Sequence, residues 1–103
     1  AKACGLECNV RGGVLVDARL RTGDPNVAAI GECASVRGQT YGLYSPCRAM
    51  ADVLADNLCG DPRDLGALDV SCHLKVAGVE VVALGDYGRE HRAVVHAVGG
   101  VRR

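Results

Sequence analysis

The stretch RTGDPNVAAIGECA, residues 21–34, decides how the first half of this chain is interpreted. It begins as a turn, because the GDPN sequence at 23–26 combines residue types that each suit tight backbone reversals. A short continuous apolar run follows at 27–30 and predicts a parallel strand covered on both faces. The run meets Gly31 and Glu32, which indicates either an ordinary turn or a strand whose tip reaches a ligand.

The length allows at most one domain's worth of chain, and the composition predicts an aliphatic core. The chain has 103 residues, of which 49% are apolar but only 3% aromatic, and this balance fits α/β layers. Twelve basic and twelve acidic residues cancel, so the electrostatic footprint of nucleic-acid binding is missing. No apolar run approaches the roughly 20 residues of a membrane span, and the N-terminus lacks a signal-peptide core. These features predict a soluble, cytoplasmic protein without a membrane partner.

The first part of the chain is predicted to be β-β-α. Residues 1–9 resemble the end of a helix, with Gly5 in the left-handed position past it, and their abrupt start suggests a chain cut from something longer. GGVLVD at 12–17 is a strand bounded by glycines and an aspartate. The strand at 27–30 follows, and 35–44 is an irregular loop.

The segment 46–59 is predicted to be a helix. Ser45 is the candidate N-cap and Pro46 the first helical residue. Gly60 ends the helix, and a proline follows two residues later. Apolar residues recur at helical spacing on one stripe: Ala49, Met50, Val53, Leu54 and Leu58.

The last part of the chain is predicted to be a three-strand antiparallel β-meander. Its strands lie at 72–76, 79–84 and 92–98, joined by a tight turn at Ala77-Gly78 and a loop at 86–90. The fold class is therefore α/β (α+β). The predicted organisation is a first domain at 1–60, a linker at 61–71 and the start of a β-rich domain at 72–103. Such a meander is marginal alone and needs the first part, a second copy or a further segment to pack on.

The order of these motifs resembles a segment of the FAD-dependent pyridine nucleotide oxidoreductases. GGVLVDARLRTGDPNVAAIGECASVRGQTYGLYSP is followed by the helix and then by LKVAGVEVVALGD. This order is most similar to the large subunit of NAD(P)H-dependent nitrite reductases and to related nitrate reductase electron-transfer and rubredoxin-reductase-like flavoproteins. The resemblance implies a segment that returns from an NAD-binding domain to the FAD domain, followed by the start of a C-terminal domain.

The resemblance also implies which residues contact the cofactor. The element T-x-x-x-x-x-A-h-G-[DE] is similar to the second FAD fingerprint of that family, whose acid accepts a hydrogen bond from a ribityl hydroxyl. That acid corresponds to Glu32. The N-terminus of the 46–59 helix would lie near the flavin, where its dipole favours negative charge. The implied FAD contacts are Thr22, Gly31, Glu32, Cys33, Tyr41 and Gly42.

Plainer interpretations of the same residues stay open. Glu32 is also typical of an exposed acid at a strand end, and Thr22 of a turn residue. Tyr41 and Tyr44 could stack on a flavin or pack over the helix. The dinucleotide signature G-x-G-x-x-G is absent, so this chain alone would not hold a whole FAD. The cysteine motifs of a siroheme and iron–sulfur centre are absent from the sequence as well.

The six cysteines and three histidines predict no catalytic or metal site. Cys33 and Cys47 lie too far apart in sequence to infer a redox pair, and buried free thiols are favoured. His91 and His96 are five residues apart across the predicted strand at 92–98 and would therefore face opposite sides. A metal site usually shows two close Cys/His pairs, and here only Cys4 and Cys8 are close and Cys72 and His73 adjacent, so a compact metal or thiol site around Cys4 and Cys8 is the lesser alternative.

Two functional hypotheses follow. The first is a segment of an NAD(P)H-dependent FAD oxidoreductase of nitrite-reductase type, inactive alone and completed by the remainder of the flavoprotein. Hydride would pass from NAD(P)H to FAD, and electrons onward to a metal centre. The second is a non-enzymatic interaction module, in which the open edge of the meander pairs with a second copy as a homodimer or with another protein.

Overall fold

The computed structural model describes residues 1–76 and 79–83 and combines strands with helices. The chain divides into two units, 1–69 and 70–103. The secondary-structure elements are a 3₁₀ turn (Lys2–Cys4), strand β1 (Val14–Val16), a second 3₁₀ turn (Gly31–Cys33), strand β2 (Ala34–Val36), helix α1 (Tyr44–Leu58) and strands β3 (Cys72–Val76) and β4 (Val79–Ala83). Gly5 follows the first turn in the predicted left-handed conformation, with φ 78°.

Strands β1 and β2 pair in parallel, with Val14 opposite Ala34 and Val16 opposite Val36. All three residues of β2 are buried. The partner of β1 is therefore the segment at 34–36. The sequence pattern places residue 34 at the end of the 21–34 stretch and residues 35 and 36 in a loop. The prediction of an irregular loop over 35–44 is wrong for its first two residues.

The predicted strand at 27–30 is instead one arm of a tight hairpin. The Ala29 N–H donates to the Leu20 carbonyl at 3.1 Å, and the Thr22 N–H donates to the Val27 carbonyl at 3.1 Å. The side chains at 27–30 are half-buried or exposed. The prediction of a fully covered parallel strand here is wrong, because an apolar run of four residues carries no information about which neighbour it will pair with.

Asp17 holds the loop that inserts Leu20 into the core. Its Oδ1 accepts the N–H groups of Arg19 at 2.8 Å and Arg21 at 2.9 Å, and its carbonyl accepts the Leu20 N–H at 3.0 Å. Leu20 adopts φ 65°, a conformation that costs a non-glycine residue energy, and its side chain is fully buried. Side-chain burial and the Asp17 hydrogen bonds offset that backbone strain.

The core of the first unit is aliphatic, as the composition predicts. Its buried members are Leu20, Ala34, Val36, Met50, Val53 and Leu65. Leu65 belongs to the predicted linker, yet its N–H donates to the Ala18 carbonyl at 2.7 Å and its carbonyl accepts the Arg37 guanidinium at 2.9 Å. The first part of that linker is thus fixed on the first unit.

Helix α1 begins two residues earlier than predicted. Its N-cap is Leu43, without a side-chain hydrogen bond, so the assignment of Ser45 as N-cap is wrong. Pro46 still lies in the first turn, where its missing N–H removes no helical bond. Gly60, at φ 90°, ends the helix as predicted, and the Asp61 N–H donates back to the Asp56 carbonyl at 3.0 Å. No helix in the described ranges has the length and apolar character needed to cross a membrane.

In the second unit, β3 and β4 form an antiparallel pair with Cys72 opposite Ala83 and Val76 opposite Val79. This confirms the first two strands of the predicted meander over 72–76 and 79–83; position 84 of the predicted second strand lies outside the described residues. The predicted turn at 77–78, the loop at 86–90 and the third strand at 92–98 lie outside the described residues, as do His91 and His96.

Gly13 and Gly12 provide a matched test of this packing. Both have left-handed φ values, 85° and 100°, so alanine at either site costs about 1 kcal/mol of strain. A Cβ at Gly13 would also lie 2.6 Å from Thr40 Cγ2 and 3.2 Å from Ser35 Cβ, whereas nothing lies within 4 Å at Gly12. We expect Gly13→Ala to lower the free energy of unfolding by about 2–4 kcal/mol and Gly12→Ala by about 1 kcal/mol, measured by urea denaturation. Equal losses would contradict the close approach of Gly13 to β2.

Asp17 gives a pH-dependent prediction. Burial acts to raise the pKa of its carboxyl, but the N–H groups of Arg21 and Arg19 and the Arg21 guanidinium outweigh it and hold the pKa below its ordinary 3.8. A carboxyl whose pKa is lower in the folded state than in the unfolded state stabilises the fold at pH values above its unfolded-state pKa. That stabilisation is lost as the pH falls through its folded-state pKa. Asp17→Asn should therefore lower the urea midpoint at pH 7, and the difference should shrink below pH 3.8. A difference that persists unchanged into acid would contradict this role.

Candidate functional site

Glu32 lies at the centre of the 3₁₀ turn Gly31–Cys33, directly before β2. The Ala34 N–H donates to the Gly31 carbonyl and closes the turn. The Glu32 side chain is exposed. Glu32 therefore lies in a turn that precedes the amino end of β2, and the segment 27–30 before it is a hairpin arm instead of the predicted parallel strand.

The Glu32 carboxylate lies against the main chain of Gly42. A Cβ built at position 42 would be 3.1 Å from Glu32 Oε1 and 3.5 Å from its Cδ. Gly42 belongs to the loop before α1. Because glycine has no side chain, this loop can approach the carboxylate closely. This contact brings together two of the residues that the sequence singled out, ten positions apart in the chain.

Gly31 fixes the backbone from which Glu32 projects. It adopts φ 79°, a left-handed conformation that glycine reaches without strain. Space is not the constraint here, since a Cβ would meet only Cys47 Sγ, at 3.9 Å. The Gly31 N–H donates to the thioether sulfur of Met50 at 3.3 Å. The turn is thereby attached to α1.

Thr22 is engaged in the hairpin. Its hydroxyl donates to the Val27 carbonyl at 2.8 Å and accepts the Asp24 N–H at 3.1 Å. The threonine therefore holds the turn through which the chain reaches 27–30, in agreement with the plainer of its two interpretations.

The thiols flank the Glu32 turn. Cys33 is exposed and its Sγ donates to the Ile30 carbonyl at 3.3 Å, while the half-buried Cys47 donates to the Tyr41 carbonyl at 3.5 Å. The prediction of buried thiols is wrong for Cys33. This residue lies in the 3₁₀ turn before β2 and is exposed, and the chain becomes buried only at Ala34. All six cysteines are free, and within 1–76 and 79–83 no group of three or more Cys, His, Asp or Glu residues is arranged to hold a metal.

The two tyrosines that flank Gly42 occupy different environments. Tyr41 is half-buried and packs against the aliphatic core, with its hydroxyl 3.4 Å from Gln39 Oε1. Tyr44 is the first residue of α1 and is 80% exposed. Packing thus accounts for Tyr41, whereas the Tyr44 side chain is largely exposed and interacts with Arg48.

The chemistry of the site follows from the unused acceptor oxygens of Glu32. Among the described residues, no hydrogen bond or ion pair engages this carboxylate. An ionised carboxylate offers about four lone-pair positions and no donor. The arrangement is therefore suited to accept hydrogen bonds from a hydroxyl or amine ligand. Met50, which supports it, was identified in the sequence only as one apolar residue of a helical stripe.

Comparison with known proteins identifies the chain's relatives. No family model matches it. It is 47% identical over 93 residues to the NAD(P)H nitrite reductase of Neurospora crassa, covering 84% of this chain and 8% of that protein. It is 40% identical over 90 residues to the NADH nitrite reductase large subunit of Escherichia coli, covering 86% and 11%. The chain is homologous to a segment of the NAD(P)H nitrite reductases. The chain spans about a tenth of the length of these curated relatives.

Two further comparisons agree with that assignment. The chain is 33% identical over 93 residues to the assimilatory nitrate reductase electron transfer subunit of Bacillus subtilis, covering 89% of this chain and 12% of that protein. Its fold matches the crystal structure of NADH:rubredoxin oxidoreductase from Clostridium acetobutylicum with a TM-score of 0.68, at 23% identity, over 92% of this chain and 25% of that one. The resemblance seen in the motif order is thus confirmed.

The contact of Gly42 with Glu32 gives a testable prediction, with Gly23 as the matched control. Nothing lies within 4 Å of a Cβ at Gly23, so Gly23→Ala should raise the free energy of unfolding by up to about 1 kcal/mol through the unfolded state. Gly42→Ala should lack this gain, because its methyl group must displace the carboxylate. In a Glu32→Ala background the gain should return, as a double-mutant cycle would measure. Equal gains in both backgrounds would contradict the contact.

Proposed function

We propose that this chain is the flavin-contacting segment of an NAD(P)H-dependent FAD oxidoreductase of nitrite-reductase type, in which Glu32 accepts a hydrogen bond from a ribityl hydroxyl. One observation carries the proposal. Glu32 is an exposed carboxylate with free acceptor positions, close to the Gly42 main chain, in a chain homologous to nitrite reductases.

The residues present fit the middle of a flavin. A polyol chain needs acceptor oxygens beside backbone that leaves it room, and Glu32 with Gly31 and Gly42 provides both. When bound, FAD would supply the chemistry, taking hydride from NAD(P)H and passing electrons onward to a metal centre. The role of this chain is to bind and orient: the carboxylate fixes a ribityl hydroxyl, and the two glycines keep side chains away from it.

We further propose that this chain supplies only part of a flavoprotein. The β-β-α part at 1–60 would be a remnant of an FAD-binding domain, and the antiparallel pair β3–β4 would begin a C-terminal domain with a third strand. The chain carries no G-x-G-x-x-G sequence to hold the FAD pyrophosphate. We therefore propose that the 103 residues alone are not catalytic, and that the remainder of the flavoprotein or a second copy completes the site. Six free thiols support a cytoplasmic location, where thiols stay reduced.

Segment exchange tests the role of Glu32. The chain would replace the matching segment of the Escherichia coli large subunit, to which it is 40% identical, giving a chimera whose FAD content and affinity are measured by absorbance and fluorescence. Glu32→Gln removes the charge of the acceptor and should weaken FAD binding by about 10- to 100-fold. Glu7→Gln, at another exposed glutamate, is the matched control and should leave the affinity unchanged.

Two outcomes would overturn parts of the proposal. If Glu32→Gln and Glu7→Gln chimeras bind FAD alike, Glu32 is not a flavin ligand. If the isolated 103-residue chain takes up FAD tightly and stoichiometrically in an absorbance titration, the chain does not depend on a partner for binding.

A further inference from the structure

Met50 occupies an unusual position among the core residues. Its side chain has no exposed surface, and its sulfur accepts the Gly31 N–H at 3.3 Å. A thioether is a weak acceptor, so a leucine at the same place would fill the core as well without making this bond. Hydrophobic packing alone therefore does not account for a methionine here.

The Gly31 N–H needs an acceptor because of where it lies. Gly31 is the first residue of a 3₁₀ turn, and the first N–H groups of a helical turn have no partner within it. The N-cap residue, Ile30, contributes no side-chain hydrogen bond. The Gly31 carbonyl is already engaged by the Ala34 N–H. With Met50 on its N–H, both polar groups of the Gly31 backbone are fixed.

Fixing Gly31 also fixes the direction of Glu32. The two residues are adjacent, and the Glu32 carboxylate lies against the Gly42 main chain. From these contacts we infer that Met50 is the positioning residue for the flavin ligand Glu32, acting through the Gly31 N–H. The inference rests on the proposed function, since it assigns a support to the carboxylate that the proposal gives to the ribityl hydroxyl.

A single-atom replacement tests the bond in the full 103-residue chain. Met50 is the only methionine in the sequence, so incorporation of norleucine changes its sulfur to a methylene and alters no other internal residue. We expect the Gly31 amide proton to shift in the NMR spectrum and its hydrogen exchange to accelerate by about tenfold. Selenomethionine, which keeps an acceptor, should leave the exchange rate close to that of the wild type. Unchanged exchange with norleucine would overturn the inference.

The chimera tests the consequence for flavin. Met50→Leu should weaken FAD affinity by about fivefold to tenfold, because the Glu32 turn loses the hydrogen bond that attaches it to α1. Val53→Ala is the control: it removes a buried side chain from the same helix without touching Gly31, so it should lower the unfolding midpoint more than Met50→Leu and the FAD affinity less.

The outcomes separate the two proposals. Weaker binding in both Glu32→Gln and Met50→Leu, with Val53→Ala near wild type, supports the positioning role. Weaker binding in Glu32→Gln alone overturns the role of Met50 and leaves the proposed function standing. If FAD affinity falls in proportion to the unfolding midpoint in both Met50→Leu and Val53→Ala, the positioning role of Met50 is also overturned, because loss of core packing would then explain the weaker binding. No effect of Glu32→Gln overturns both.

Discussion

The attachment of the Gly31 turn to helix α1 is the interaction on which the first unit depends. Met50 is buried in the aliphatic core and its sulfur holds the Gly31 N–H. The chain that leaves this turn enters β2 at once and is buried from its first residue. Helix packing, the start of the sheet and the direction of Glu32 are therefore set by one short segment.

Burial, more than local propensity, decides which segment becomes the parallel strand. The run at 27–30 has more β-forming character than Ala34-Ser35-Val36, yet it pairs with its own preceding loop around Arg21. The competing segment fits against β1 with all three residues inside, and its Ser35 hydroxyl accepts a hydrogen bond from Asn9 at 3.1 Å. A buried serine is tolerated because it has this partner. Strand choice is thus a property of the whole unit.

The site illustrates how a carboxylate can be held without being neutralised. Glycine at 42 lets the chain run beneath Glu32, and the supporting bonds are made by Gly31, whose backbone groups face the core and the turn. The acceptor oxygens stay available for a ligand. A basic side chain beside Glu32 would form an ion pair with the carboxylate and occupy the acceptor oxygens that a ligand needs.

The sequence by itself determined the residue types, the helix with its Gly60 exit, the β3–β4 pair and the relationship to nitrite reductases, because these depend on local periodicity, turn chemistry and motif order. It also singled out Gly31, Glu32 and Gly42. Only the tertiary structure decided that β2 lies at 34–36, that Leu65 is anchored, that α1 begins at Tyr44 and that Met50 supports the Glu32 turn. These features depend on contacts between segments far apart in sequence, such as Gly31 with Met50 and Ala18 with Leu65, and pairing of this kind is selected by the burial that the assembled core makes possible.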